Sequence, residues 1–240
     1  MTISGLLSTA FYFLLFSLHG FAQAPHGGHR SFLWKIGKDD GKAGEFKYGP
    51  SSFRRYAGDG LYLVGKSDPR TSWPYVLPGP RDLWAGGRKH TFRIFFGLKE
   101  VPRGSWRFHV VFVDTHFRSP PLLHVEVNGR KYSRRLPPGG GDASIQGRPE
   151  KGKRHSFSIE IPQEILRPGL NEVSIADVRG SWAVFDWLGL EGPPGARAAP
   201  PEGAVIRRVK PEARIIRRGG RPFQFLEVDI LSLDPKGGLS

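Results

Sequence analysis

Five side chains in one stretch of the chain have the types and spacing to bind something. Arg70, Trp73, Tyr75, Arg81 and Trp84 fall between Lys66 and Lys89, in a segment that also holds four prolines. An indole or phenol offers a flat apolar face to the C–H surface of a sugar ring, and a guanidinium grips a carboxylate through two parallel hydrogen bonds. Together they describe a binding site for an acidic sugar. A second reading competes with it, in which Trp73 and Trp84 plug the open end of a hydrophobic core. Both are carried forward.

Other groups have weaker claims. Asp39, Asp40 and Glu45 cluster near the start and Glu191 ends the last apolar run, four carboxylates that are candidate ligands of a structural Ca²⁺, an ion that takes six to eight oxygens. Asp114-Thr115-His116 follows a strong strand, with Asp114 and His116 on one face of an extended segment; the plain alternative is a hydrogen-bonded strand end. Acid–base chemistry on a uronate needs a base near the C5 proton and a cation for the developing anion, and no spacing of Lys, His or Arg singles out such a set. The nucleophile elbow, the zinc-protease helix motif and the phosphate-binding loop are missing, and Gly139-Gly140-Gly141 lacks the residues that would make it one. No catalytic residue is assigned.

These side chains have to be held by strands. His90–Leu98 and Ser105–Asp114 are long and strongly apolar, and in the second Trp106, Phe108, Val110 and Phe112 share one face. Leu122–Val127 alternates cleanly and runs into Asn128-Gly129, a two-residue hairpin signal, so Lys131–Leu136 is the returning strand. Ser156–Ile161 alternates again, and Arg167–Ile175 and Trp182–Glu191 are the last two strands, the final one apolar on both faces and therefore covered on both. With Phe32–Ile36 and Gly60–Val64 this makes eight or nine strands and almost no helix, an all-β jelly-roll β-sandwich. The connection Lys66–Lys89 is expected to be ordered by its aromatics, and Pro137–His155 to be mobile.

Composition bounds the rest. The chain has no cysteine, so an ordinary core must hold it, and 17 Phe and six Trp supply one. Leu6–Leu18 is apolar and uncharged and is followed by small residues, which predicts a signal peptide over 1–22, a flexible leader over 23–31, and a secreted or periplasmic protein with no membrane attachment after cleavage. The net charge of +14 points to an acidic partner. Acidic polysaccharide is favoured over nucleic acid, because the aromatics do not interleave with the basic residues. Residues 193–203 read as a Pro/Gly linker. Residues 204–240 read as three short strands that either pack on the main domain or begin a further module, and the turn-like ending hints at a longer protein. Oligomeric state is left open.

Several segments, taken in order, resemble the C-terminal module of rhamnogalacturonan lyases, polysaccharide lyase family 4. They are Trp34–Gly41 with Glu45-Phe46, Val64–Ser67, Trp73-Pro74, Thr91–Leu98, Val125–Gly129, Gly169–Asn171 and Phe185–Leu188. The resemblance covers roughly residues 32–192. It implies a galactose-binding-like jelly roll and a carbohydrate-binding module for a pectin-like polysaccharide, or a component of a lyase. The alternative is a structural or protein-interaction sandwich. In those lyases the catalytic residues belong to a separate N-terminal β domain, so the resemblance carries a fold and a ligand class and no catalytic residue.

Overall fold

A computed structural model describes residues 31–233. The expected signal peptide and the leader up to residue 30 lie outside the described residues. Among the described residues there are thirteen strands: β1 Ser31–Gly37, β2 Leu61–Leu63, β3 Val76–Leu77, β4 His90–Leu98, β5 Trp106–Thr115, β6 Leu122–Val127, β7 Arg130–Arg135, β8 His155–Ile161, β9 Gly169–Arg179, β10 Ala183–Gly192, β11 Ala198–Ala199, β12 Ala204–Arg218 and β13 Arg221–Ser232. One helical turn, α1, spans Pro69–Ser72.

Two sheets form the body. One runs β1-β10-β5-β8 with β3 added to β10; the other runs β11-β4-β9-β6-β7 with β2 parallel to β4. Counting only the eight strands β1 and β4 to β10, the orders are 1-8-3-6 and 2-7-4-5, the topology of a jelly roll. Alternation decides which face goes in. Phe92, Ile94 and Phe96 of β4, Trp106, Phe108, Val110 and Phe112 of β5, and Leu123, Val125 and Val127 of β6 are all buried between the sheets. β10 is covered on both faces, since Leu188 and Leu190 point inward and Trp187 lies under Lys35 and Phe32 outside. The two-residue turn at Asn128-Gly129 has positive φ at both positions, as its sequence requires.

Two expectations are corrected. Residues 204–232 make two strands, not three. Pro211, which cannot donate to a ladder, is absorbed by an irregularity between Pro211 and Ile215, and β12 continues to the Gly219-Gly220 turn. Within the expected linker, Ala198–Ala199 pairs with β4 as an edge strand.

The β12–β13 ribbon is rooted on the outer face of the second sheet. Val205, Leu231 and Leu233 pack against Phe95, Leu61, Leu63 and Leu170. The Arg93 guanidinium donates to the carbonyl of Ile206, and the Lys66 ammonium to those of Pro201 and Leu233. Beyond that root the ribbon stands clear of the sandwich.

Candidate functional site

The jelly-roll order sends the long connections to one end of the sandwich. Residues 38–60, 64–89, 116–121, 136–154 and 180–182 all leave or enter strands there. Their backbone polar groups must be satisfied in the absence of regular ladders. Two buried carboxyls do much of this.

Asp114, at the end of β5, is fully buried and takes three hydrogen bonds from the 136–154 loop: Gly140 N–H at 2.8 Å, Lys153 N–H at 3.0 Å and the Ser144 hydroxyl at 2.6 Å. Thr115 adds a bond to the Pro137 carbonyl. A Cβ on Gly139 would stand 1.8 Å from the Thr115 carbonyl oxygen, so only glycine lets the loop lie this close. The loop expected to be mobile is therefore fastened to β5, and Asp114-Thr115-His116 is a strand end tied to its neighbours. His116 accepts the N–H groups of Arg118 and Ser119.

Asp186 does the same for the 38–45 loop from inside β10. It accepts the Gly41 N–H at 3.0 Å and the Arg154 guanidinium at 3.1 Å. Burial raises its pKa, and Arg154 offsets only part of that. Arg154 reaches on to Asp39.

The cleft these anchors shape has a volume of about 320 Å³. Lys38, Lys42 and Arg70 bring three cations to it, Asp40 and Glu45 bring two carboxyls, and Pro50 and Pro149 form apolar walls. Arg70 is placed by α1, whose N-cap Asp68 accepts the Arg70 N–H at 2.8 Å. Glu45 accepts the Lys38 N–H at 2.7 Å, and Asp40 the Lys42 N–H at 3.0 Å, which fixes the two lysine-bearing backbones. Burial raises the Glu45 pKa against the pull of its own backbone bonds, that from Lys38 among them. Phe53, three residues past Pro50, packs edge-on against Trp84 at 5.1 Å, next to an 86% exposed Leu83. Cations, hydrogen-bond acceptors and apolar ring surface thus meet at one end of the molecule, the combination an acidic, hydroxylated ligand needs.

Of the five side chains expected to bind, the structure brings only Arg70 to this cleft. Trp73 and Tyr75 are corrections: both are 0% exposed. Trp73 meets Phe92 at 5.1 Å and Phe185 at 5.5 Å, and the Tyr75 hydroxyl bonds the Ile145 carbonyl at 2.6 Å. The alternative reading, core plugs, holds for Trp73. Trp84 is half-buried against Phe53 and Tyr56. Arg81 is exposed and donates to Ser119 at 2.6 Å, outside the cleft lining. The sequence reading missed Lys38, Lys42 and Arg154 as site residues. The signal for Arg154 was an Asp inside the apolar run Ala183–Leu190, which marks a buried carboxyl that needs partners from elsewhere in the chain.

The four candidate calcium ligands do not converge. Asp39 is spent on Arg154, while Asp40 and Glu45 hold backbone N–H groups. Glu191 lies opposite Phe32, at the far end of the β1–β10 ladder from Asp186, and faces His109 at 3.2 Å. Among the described residues no group of three His, Asp or Glu is arranged to hold a metal. A Tyr56–Asp59–His90 network has the composition of a catalytic set, but His90 is 1% exposed and its Nε2 faces the Ala85 carbonyl at 2.8 Å. It braces the loop, with the His90 imidazole closed to solvent.

A buried carboxyl pair lies under the same end. Asp82 accepts from the Ser181 hydroxyl and the Gly79 N–H. Asp177 accepts the Arg179 N–H, while its Oδ2 finds no partner among the described residues. Burial, with Asp82 nearby, pushes the Asp177 pKa up to about 7. A raised carboxyl pKa means the folded state holds a proton that the unfolded chain releases from about pH 4 upward. Stability therefore falls as pH rises from about 4 to 7. Asp177→Asn, which keeps an acceptor and never ionises, should be more stable than the parent by on the order of 2–4 kcal/mol at pH 8 and little different at pH 4.5. Urea midpoints across that range check this; an unchanged pH slope in the variant would contradict it.

A family model described as CBM-like, polysaccharide lyase family 4, domain III, matches residues 32–190. A rhamnogalacturonate lyase of Dickeya dadantii (strain 3937) is 25% identical over 178 residues, covering 67% of this chain and 28% of that protein. The chain thus spans less than a third of the length of this curated relative. Among solved structures, the CBM35 from Cellvibrio japonicus Abf62 aligns with a TM-score of 0.31 at 13% identity, over 48% of this chain and 71% of that one. A family 35 carbohydrate binding module from an environmental isolate aligns with a TM-score of 0.35 at 14% identity, over 70% and 98%.

Proposed function

The chain belongs to the CBM-like domain III family of polysaccharide lyase family 4, and we propose that it is a carbohydrate-binding module for an acidic, pectin-like polysaccharide. The observation that carries this reading is the loop-end cleft, where Lys38, Lys42 and Arg70 surround a trough that also holds Asp40 and Glu45. In this reading Arg70 grips a uronate carboxylate, the two lysines neutralise it or its neighbour, and Asp40 and Glu45 accept sugar hydroxyls. Pro50 and Pro149 give the ring an apolar seat, and Phe53 with Trp84 extends the surface along the glycan. No step of bond cleavage is assigned to this chain. The uncharged apolar segment 6–18 is read as a secretory signal, so the protein acts outside the cytoplasm.

Affinity electrophoresis through polygalacturonate, rhamnogalacturonan and neutral galactan tests the reading. Retardation by the acidic glycans alone is expected, without the ultraviolet absorbance of an unsaturated uronate product. Arg70→Ala should weaken it about tenfold, and Lys38→Ala with Lys42→Ala by a similar factor. Preference among acidic glycans should persist in added salt, whereas binding by net charge alone would fade uniformly. Equal retardation of the Arg70 variant would place the site elsewhere, and no retardation by any glycan would leave a structural sandwich. Appearance of unsaturated product would instead favour a second reading, a working part of a lyase, which rests on the match to 28% of a rhamnogalacturonate lyase.

A further inference from the structure

The β12–β13 ribbon carries a feature that ligand binding at the loop end does not use. Cross-strand register gives the ribbon two faces. One turns Val205 and Leu231 onto the sandwich at the root, and further out carries Lys210 opposite Glu227 and the Arg214 guanidinium over Phe225. The other has the pairs Ile206–Ile230, Val209–Val228 and Pro211–Leu226, followed by Ile215 opposite Gln224. Along that second face the six large aliphatic side chains are 43–63% exposed, and the paired positions from Ile206 to Leu226 hold no charged side chain. Charge collects at the tip instead, in Arg217, Arg218 and Arg221 around the Gly219-Gly220 turn.

A lone two-stranded ribbon is marginal in water, and an exposed apolar patch of several hundred Å² marks a contact surface. We infer that this face is the interface of a homodimer, in which two ribbons stack face to face, antiparallel, about a two-fold axis near Val228 and Leu226. Three physical features select a second copy. The face is uncharged, so it gains nothing from an acidic glycan, a nucleic acid or an anionic surface. It carries exposed aliphatic side chains on both strands, so the same apolar surface can meet a second copy of itself across a two-fold axis, as an isologous contact requires. The basic tips repel one another, which excludes the parallel stack and leaves the antiparallel one, each tip over its partner's root. The area is roughly 500 Å² per copy against about 800 Å² in a standard interface, so the dimer is of micromolar affinity. Its consequence is bivalency: two glycan clefts on one particle bind a long chain more tightly than either does alone.

Analytical ultracentrifugation of the mature chain over a concentration series tests the inference. Monomer–dimer exchange in the micromolar range is expected, abolished by Leu226→Lys with Val228→Lys and retained with Glu227→Lys on the opposite face. Because the chain has no cysteine, single substitutions give a second, fold-independent readout. Val228→Cys near the axis should form a disulfide-linked dimer under mild oxidation, and Glu227→Cys should not. A chain that stays monomeric and does not cross-link through position 228 overturns the dimer and leaves the face to another module or partner. A dimer that survives the double lysine variant overturns it as well, by placing the contact elsewhere. Affinity for a short oligogalacturonate that a single cleft can span, unchanged in the lysine variant, keeps the outcome separate from that of the cleft, while retardation by the long polysaccharide should fall with the dimer.

Discussion

Replacing Trp73 with alanine should lower the stability of the sandwich by about 3–5 kcal/mol, the cost of emptying a large aromatic from a packed core. Trp73 is fully buried between Tyr62, Phe92 and Phe185, and Phe185 in turn touches Phe46 and Phe112, so the indole links both sheets to the loop end. Relaxation around such a site is partial because two of its neighbours, Phe92 and Phe185, are themselves fully buried. Trp73→Phe should cost much less. It loses volume but also removes the Nε1–H, which finds no acceptor among the described residues. Urea unfolding of the two variants checks the ranking, and glycan affinity of the folded Trp73→Phe protein separates the core role from a sugar-stacking one. Near-parental binding is expected. A tenfold loss of binding with unchanged stability would restore Trp73 to the ligand site.

The second large effect is expected at Asp114. Its carboxyl serves two backbone N–H groups and a hydroxyl, all inside the fold. Asp114→Ala removes all three bonds and strands their donors, with a cost of about 3 kcal/mol or more at roughly 1 kcal/mol per bond plus desolvation of what remains unpaired. Asp114→Asn keeps the oxygen that takes Gly140 and Lys153 and should cost about a third as much. Hydrogen exchange at the Gly140 and Lys153 amides reports the loop directly. Both should lose protection in the alanine variant while β4 and β9 keep theirs. Glycan binding should fall too, since Gly147 and Pro149 of the same loop wall the cleft. Full protection at Gly140 in the alanine variant would show that the loop is held by other means.

The strands were legible because alternation is a local property. His90–Leu98 and Leu122–Val127 are bounded in the structure where their patterns place them, and the Asn128-Gly129 turn falls where a positive-φ pair is needed. A pattern of period two states which face is apolar, and burying that face is most of what makes a sandwich. The loop end was only partly legible. Arg70, Trp73 and Tyr75 are close in sequence, yet α1 turns Arg70 out to the cleft while the next turn of chain drives Trp73 and Tyr75 inward. Aromatics in a loop look the same whether they face a sugar or a core, because both bury a ring against apolar surface.

What the sequence by itself determined is therefore an all-β chain, the bounds of its cleanly alternating strands, its basic charge and its family resemblance. Only the tertiary structure decided which carboxyl bonds which loop. Asp114 meets Gly140 across 26 residues, and Asp186 meets Gly41 across 145. The cleft likewise draws Lys38, Arg70 and Pro149 from three separate loops. The reason is that a binding end is made of irregular segments whose hydrogen bonds are satisfied at long range. No local pattern encodes a partner that the sheet topology alone brings near.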